Sequence, residues 1–304
     1  METKIEPSGV LLIDKPEGVT SHDVVGKVRR LYNTRRVGHT GTLDPMATGV
    51  LVVLIGRAAK AAEYLVSDSK AYRATLRLGI TTDTEDTGGN TLSESDAIPP
   101  AARVIEVANS FLGTIKQVPP MYSALKVGGR KLVDLARRGV EIEREAREIT
   151  IHSITCTPID EKNYALDVAC SSGTYIRTLC ADIGKALGCG GAMASLRRTQ
   201  TGGFSLDDCH TLAALEALAP EERLAVLIPT ESLFAALPAL RLPAFYEKLS
   251  RNGCEIYLKK LGVSHPVGTR LRVCSQSGTF FALGEVRTYA DGDAVKLIKL
   301  FDLS

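Results

Sequence analysis

The sequence predicts a protein of mixed helices and strands, a large domain followed by a small β-rich module. Three observations predict it. At 304 residues the chain exceeds the roughly 100 to 200 residues of a single domain. Apolar residues recur at both the strand period of two and the helix period of 3.6 through most of its length. The prolines of LPALRLP, residues 237–243, mark a linker, beyond which only short strand-like runs follow. Hydrophobic residues at 44% and charged residues at 24% are ordinary for globular proteins and argue against disordered or fibrous classes.

The first strand is the apolar run Val10 to Ile13, which stops where Pro16 and Gly18 force a turn. Thr20 or Ser21 can cap the helix that follows, in which Val24, Val25, Val28, Leu31 and Tyr32 form one buried stripe. Val37 to Gly49 is rich in Gly and Thr and reads as an ordered loop leading into the strand Val50 to Ile55. In AYRATLRLGI, Tyr72, Ala74, Leu76 and Leu78 alternate with Arg73, Thr75 and Arg77, so a half-buried strand carries Tyr72 on its apolar side. TDTEDTGGN then reads as a solvated acidic turn. Residues 101–112 are expected to be helical, PPMYSA a rigid turn, and GRKLVDLARRG a short basic helix ended by Gly139. The strand Tyr164 to Cys170, the turn SSGT and the helix Tyr175 to Leu187 complete the large domain.

Familiar cofactor sites are missing from these elements. GHTGTLDPMATG lacks the GK[ST] of a phosphate-binding loop, the five histidines show no HxxxH or HxH pairing, and TDTEDTGGN lacks the calcium-loop pattern. The seven cysteines are odd in number and contain no CxxC pair, which suggests neither a disulfide framework nor zinc. Reduced thiols, an N-terminus without an apolar h-region, and the lack of an uncharged run near the ~18 residues of a membrane span point to the cytoplasm. No cofactor or metal is expected.

What remains is a carboxylate, Asp44, in a glycine-bounded loop. Such a group can act as a nucleophile towards a sugar carbon or an electrophilic base if a cation keeps it ionised. Spacing alone favours a different role, an Asx-turn in which Asp44 caps the backbone before Pro45. Arg177 falls about three residues into a helix capped by Thr174, where the macrodipole makes a cation unfavourable by ~0.3 to 1 kcal/mol. A nearby anion would offset that, and a side chain extended to water is the alternative. Tyr72 fits either a core tyrosine or a stacking platform, and His39 either a loop hydrogen-bonder or a reader of nucleic acid.

Net charge is only +2, so any polyanion must be met by local clusters. Residues 21–40 hold Lys27, Arg29, Arg30, Arg35 and Arg36 against Asp23 alone, and residues 116–148 hold eight cations against five acids. Either run alone also fits a solvated face.

Longer segments carry a resemblance. GVLLIDKPEGVTSHDVV, RRVGHTGTLDPMATGVLVVLIGRAAKAAEYL, KAYRATLRLGITTDTED, VPPMYSALKVGGRKLVDLARRGVEIEREAR, SSGTYIRTLCADIGKALG and ASLRRTQTGGF together closely resemble the TruB family of tRNA pseudouridine synthases, over nearly all of residues 8–232. The resemblance implies an α+β pseudouridine synthase fold, with a largely antiparallel mixed sheet flanked by helices. It implies a catalytic domain at 1–236 with an RNA-gripping insertion near 116–148, and a PUA-like β-barrel at 237–304. It overturns the Asx-turn reading by placing the family's nucleophile, the Asp of GxLDPxATG, on Asp44.

By the same matching the base-stacking and proton-accepting tyrosine falls on Tyr72 and the ion-pairing arginine on Arg177. His39 is the histidine that wedges into the RNA loop, Tyr175 and Leu196 line the substrate pocket, and Lys15 and Lys60 are further RNA contacts. The implied substrate is the uridine at position 55 in the T loop of tRNA, flipped out at a cost of roughly a few kcal/mol. The implied enzyme is a monomer that needs no guide RNA, since the insertion resembles the one by which stand-alone members grip the T-arm.

Overall fold

In the computed structural model, which describes residues 6–65 and 69–301, the strand Gly9–Lys15 (β1) is buried on both faces. Leu11 and Ile13 join one apolar cluster, Val10 and Leu12 another. That explains the continuous apolar run, because a strand covered on both sides has no polar face to alternate with. The helix Ser21–Leu31 (α1) follows, capped by Thr20, whose hydroxyl accepts from the Asp23 amide while the Asp23 carboxylate accepts from the Thr20 amide. Ser21 is thereby free for another task.

The segment expected as a loop from Val37 to Gly49 is shorter than expected. Val37–Thr40 (β2) pairs antiparallel with Thr48–Ile55 (β3), which leaves only 41–47 irregular. Ser69–Leu78 (β4) carries the expected alternation. The helix Ala101–Asn109 (α2) leads to Gly113–Gln117 (β5), after which a small hairpin pairs Lys126 and Val127 with Lys131 and Arg130 ahead of a brief helix, Leu132–Ala136 (α3). Arg147–Pro158 (β6), Asn163–Ser171 (β7), the helix Ile176–Leu187 (α4) and Gly191–Thr201 (β8) follow.

The main sheet runs in the order β1-β3-β8-β4-β7-β6-β5, with β2 added beside β3. Each pairing along it is antiparallel except the short parallel step of β8 on β3, Arg197 to Thr48 and Arg198 to Gly49. The sheet is thus largely antiparallel and mixed, as expected. Tyr72, Ala74, Leu76 and Leu78 of β4 pack with Val24, Val25 and Val28 of α1 and Ile176, Leu179 and Ile183 of α4 in one core.

The parallel step depends on Gly49. Its φ is +100°, and a Cβ there would lie 2.1 Å from the Arg198 carbonyl oxygen. Strain and overlap together predict that Gly49→Ala costs about 2 to 4 kcal/mol, read as a lowered urea midpoint.

The second sheet holds Ala239–Arg241 (β9), Ile256–Tyr257 (β10), Arg270–Cys274 (β11), Phe280–Tyr289 (β12) and Gly292–Leu300 (β13), in the order β9-β11-β12-β13-β10, curled into a half-barrel. The segment expected as a linker therefore contains a strand, since β9 pairs parallel with β11. The two sheets meet where Phe234, Phe301 and Leu283 enclose Ala61 of the 3-10 turn Gly56–Tyr64. The Lys60 ammonium, in that turn, donates to the Leu300 carbonyl at 3.5 Å. Among the described residues, no helix is long and apolar enough to cross a membrane.

Candidate active site

Asp44 stands in the loop between β2 and β3, and the loop is clamped on both sides of it. Before it, the Ser21 hydroxyl accepts from the Leu43 amide at 2.9 Å and donates to the Leu43 carbonyl at 3.2 Å. After it, the Pro45 carbonyl accepts from the Gly18 amide at 2.9 Å and from the Lys15 ammonium at 3.2 Å. The turn is closed by the backbone, with the Ala47 amide donating to the Asp44 carbonyl at 3.0 Å. The Asx-turn reading fails here because the carboxylate is directed elsewhere, with Oδ2 3.0 Å from Arg177 Nε.

Arg177 is almost wholly buried, at 6% side-chain exposure, and is held from three directions. Nη1 donates to the Thr84 carbonyl at 3.0 Å, Nη2 donates to the Tyr122 carbonyl at 2.7 Å, and Asp86 Oδ2 lies 3.9 Å from Nε. The contact to Asp44 runs through Nε, so the two terminal nitrogens act as braces. The helix start differs from expectation in detail. Tyr175 is the N-cap, and the Thr174 hydroxyl donates to the Ser171 carbonyl instead of capping. Gln117, at the end of β5, takes up the cap, donating to the Tyr175 carbonyl at 3.1 Å and accepting from its amide at 2.8 Å. The anion expected to offset a cation in the first turn is present twice, as Asp44 and Asp86.

Asp86 corrects the reading of TDTEDTGGN as solvated. That segment docks on β8, where the Met193 amide donates to the Glu85 carbonyl at 3.0 Å and the Thr87 amide donates to the Met193 carbonyl at 3.0 Å. The Thr178 hydroxyl donates to the Glu85 carboxylate at 2.6 Å. Burial raises the Glu85 pKa, which that bond and the Arg177 charge partly counter. Acidic spacing gave no sign of this, because a turn that packs and a turn in water have the same composition.

Asp44 and Arg177 line a cavity of about 250 Å³ together with Tyr72, Tyr175 and Leu196. Five of the eight residues singled out in the sequence thus converge there. Tyr72 is 8% exposed, and burial raises its phenol pKa. The Arg198 guanidinium, opposite Tyr72 across the β4 to β8 pairing, counters that rise by its charge and by a hydrogen bond to the phenol. Arg198 itself is 1% exposed, with Nε donating to the Val50 carbonyl at 2.7 Å and Nη2 to the Gly41 carbonyl at 2.9 Å.

The other three residues lie off the cavity lining. His39 is on β2, edge-on to His22 with ring centroids 5.5 Å apart, and its Nδ1 is buried without a hydrogen-bond partner. Burial, then the charges of His22 and Arg198, lower its pKa and favour the neutral ring. Lys60 sits against the second sheet. Lys15 is fully buried, and its ammonium donates to the carbonyls of Pro16, Val19 and Pro45, so it shapes the Asp44 loop and is not placed to meet RNA. An RNA contact was expected of Lys15, and local sequence carries no sign that a lysine will find three carbonyls.

Residues 29–176 match the model for the TruB family pseudouridylate synthase (N terminal domain), and residues 177–235 match that for the tRNA pseudouridylate synthase B C-terminal domain. Relatives named tRNA pseudouridine synthase B include one from Clostridium kluyveri, 45% identical over 96% of this chain and 99% of its own length. Another, from Syntrophotalea carbinolica, is 46% identical over 85% of this chain and 81% of its own. Among solved structures, a chain in a Cbf5-Nop10-Gar1 complex superposes with a TM-score of 0.70 at 26% identity, covering 99% of this chain and 87% of that one. With both family models matched in order and close relatives aligned nearly end to end, the chain belongs to the TruB family of pseudouridylate synthases.

Proposed function

We propose that this protein isomerises uridine to pseudouridine in tRNA, acting on the T-loop uridine at position 55 with Asp44 as nucleophile. The observation that carries the reading is the ion pair of Asp44 and Arg177 in a cavity walled by Tyr72 and Leu196. A base inside a folded tRNA loop is out of reach of such a recess, so the nucleotide flips out and stacks on Tyr72. Leu196 and Tyr175 bound the space in which the ring turns, and His39, on β2 ahead of the Asp44 loop, fills the gap left in the RNA loop.

Arg177 holds the Asp44 carboxylate in place beside the bound nucleotide, with Nε 3.0 Å from Oδ2. The carboxylate attacks, the bond from N1 to C1′ breaks, the uracil turns, C5 bonds to C1′ as the bond to Asp44 breaks, and N1 takes up a proton in exchange for the one that leaves C5. Reactant and product are isomers, so the cycle has no net redox change. Tyr72, which lines the same cavity as Asp44, takes the C5 proton. Residues 1–236 form the catalytic part. The exposed cations Arg130, Lys131, Arg137 and Arg138 of the insertion hold the T-arm by its phosphates, with Lys60 and the PUA-like residues 237–304 supporting the RNA beyond it. The enzyme works as a cytoplasmic monomer without guide RNA.

The test is incubation with an unmodified tRNA transcript, without guide RNA or added metal, followed by mapping of pseudouridine at each position. Product at the T-loop uridine is the expected result. Product only when a guide RNA is supplied would assign the chain to a guide-dependent role instead.

A further inference from the structure

Lys70 was not singled out by the sequence, yet it lines the same cavity as Asp44. Strand alternation puts it on the face of β4 that carries Tyr72, two residues along. Gly41, at φ +69°, leaves a gap between the loop and this strand. A Cβ built there would lie 3.2 Å from Arg198 Nη1 and 3.7 Å from Lys70 Nζ, so both cations bear on one point. Neither has a carboxylate partner among the described residues, whereas Arg177 beside them has two. The Lys70 ammonium makes no hydrogen bond among those residues, and burial, then the Arg198 charge, lower its pKa. Two adjacent, partly desolvated like charges are costly unless an anion joins them.

We propose that Lys70, backed by Arg198 across the gap at Gly41, is an anion subsite for the backbone phosphate adjoining the nucleotide bound over Asp44. The inference rests on the reading that this nucleotide belongs to an RNA chain, whose anions are its phosphates. Asp44 and Arg177 already satisfy one another, so the sugar and base go to that pair and the phosphate goes to Lys70. The contact fixes the flipped nucleotide by its backbone and reads no sequence.

The experiment uses the full chain and a T-arm stem-loop RNA carrying a neutral methylphosphonate at one linkage at a time around the target uridine. Affinity across a salt series and single-turnover rate are measured for wild type, Lys70→Met and Lys70→Arg. Expected for Lys70→Met is binding about tenfold weaker, the scale of one lost hydrogen bond to a charged group. Its salt slope should fall by about 0.7, the value for one phosphate contact on a single strand. Lys70→Arg should recover most of the affinity. One flanking methylphosphonate should weaken wild type by a similar factor and add nothing in Lys70→Met.

An unchanged salt slope in Lys70→Met, or losses that simply add at every linkage, would overturn the subsite. So would a slower single turnover at unchanged affinity, which would place Lys70 in the chemistry. A wild type that binds the RNA but forms no pseudouridine would instead refute the proposed activity, with the binding comparison still reading Lys70.

Discussion

Asp44→Asn is expected to abolish pseudouridine formation in tRNA, by at least about 10⁴-fold, the scale on which removal of a covalent nucleophile acts. Affinity for tRNA is expected to stay within about threefold of wild type, because binding is dominated by phosphate contacts in which a carboxylate takes no part. The loop should keep its shape, since Leu43 is held by Ser21 and Pro45 by Lys15 and Gly18 through backbone groups that the substitution leaves unchanged. Quantitative mapping of product in single-turnover reactions, with filter binding on the same samples, separates the two effects. Residual turnover within a hundredfold of wild type would show that another group makes the bond.

Arg177→Lys is expected to lower the single-turnover rate by about 10² to 10³-fold, the range for losing a preorganised donor in an active site. Arginine reaches Asp44, Thr84 and Tyr122 with three different nitrogens. A lysine ammonium is a single point on a flexible stem and cannot span all three. A carbonyl left without its donor costs about 1 to 3 kcal/mol, so the thermal midpoint should fall by several degrees. A lysine variant with a full rate and an unchanged midpoint would show that the braces on Arg177 are dispensable. The Tyr122 brace gives the PPMYSA turn a direct hold on the ion pair.

The strands that were legible in the sequence share one property, an unbroken alternation or an unbroken apolar run. β4 kept a period of two over its whole length, and β1 and β3 were continuous because both their faces are covered. β6 escaped notice because a register shift between Ile151 and Ser153 moves the apolar set from Ile149 and Ile151 to Ile154 and Cys156, which breaks the alternation. β8 has two such shifts and carries a buried arginine where an apolar residue would be looked for. In the small module the strand β9 was hidden by the flanking prolines that made it look like a linker.

By itself, the sequence determined the mixed architecture, the stripe of α1, the face on which Tyr72 lies, and, through the motif around Asp44, the family. Spacing alone would have assigned Asp44 to a turn. Tertiary structure decided that its carboxylate meets Arg177, that Asp86, Thr84 and Tyr122 complete the arginine's shell, and that Lys15 is buried while Lys70 faces the cavity. The physical reason is that these contacts join residues from separate parts of the chain. Local periodicity reports which face of an element is apolar, whereas a buried charge is tolerated only where distant partners arrive to satisfy it.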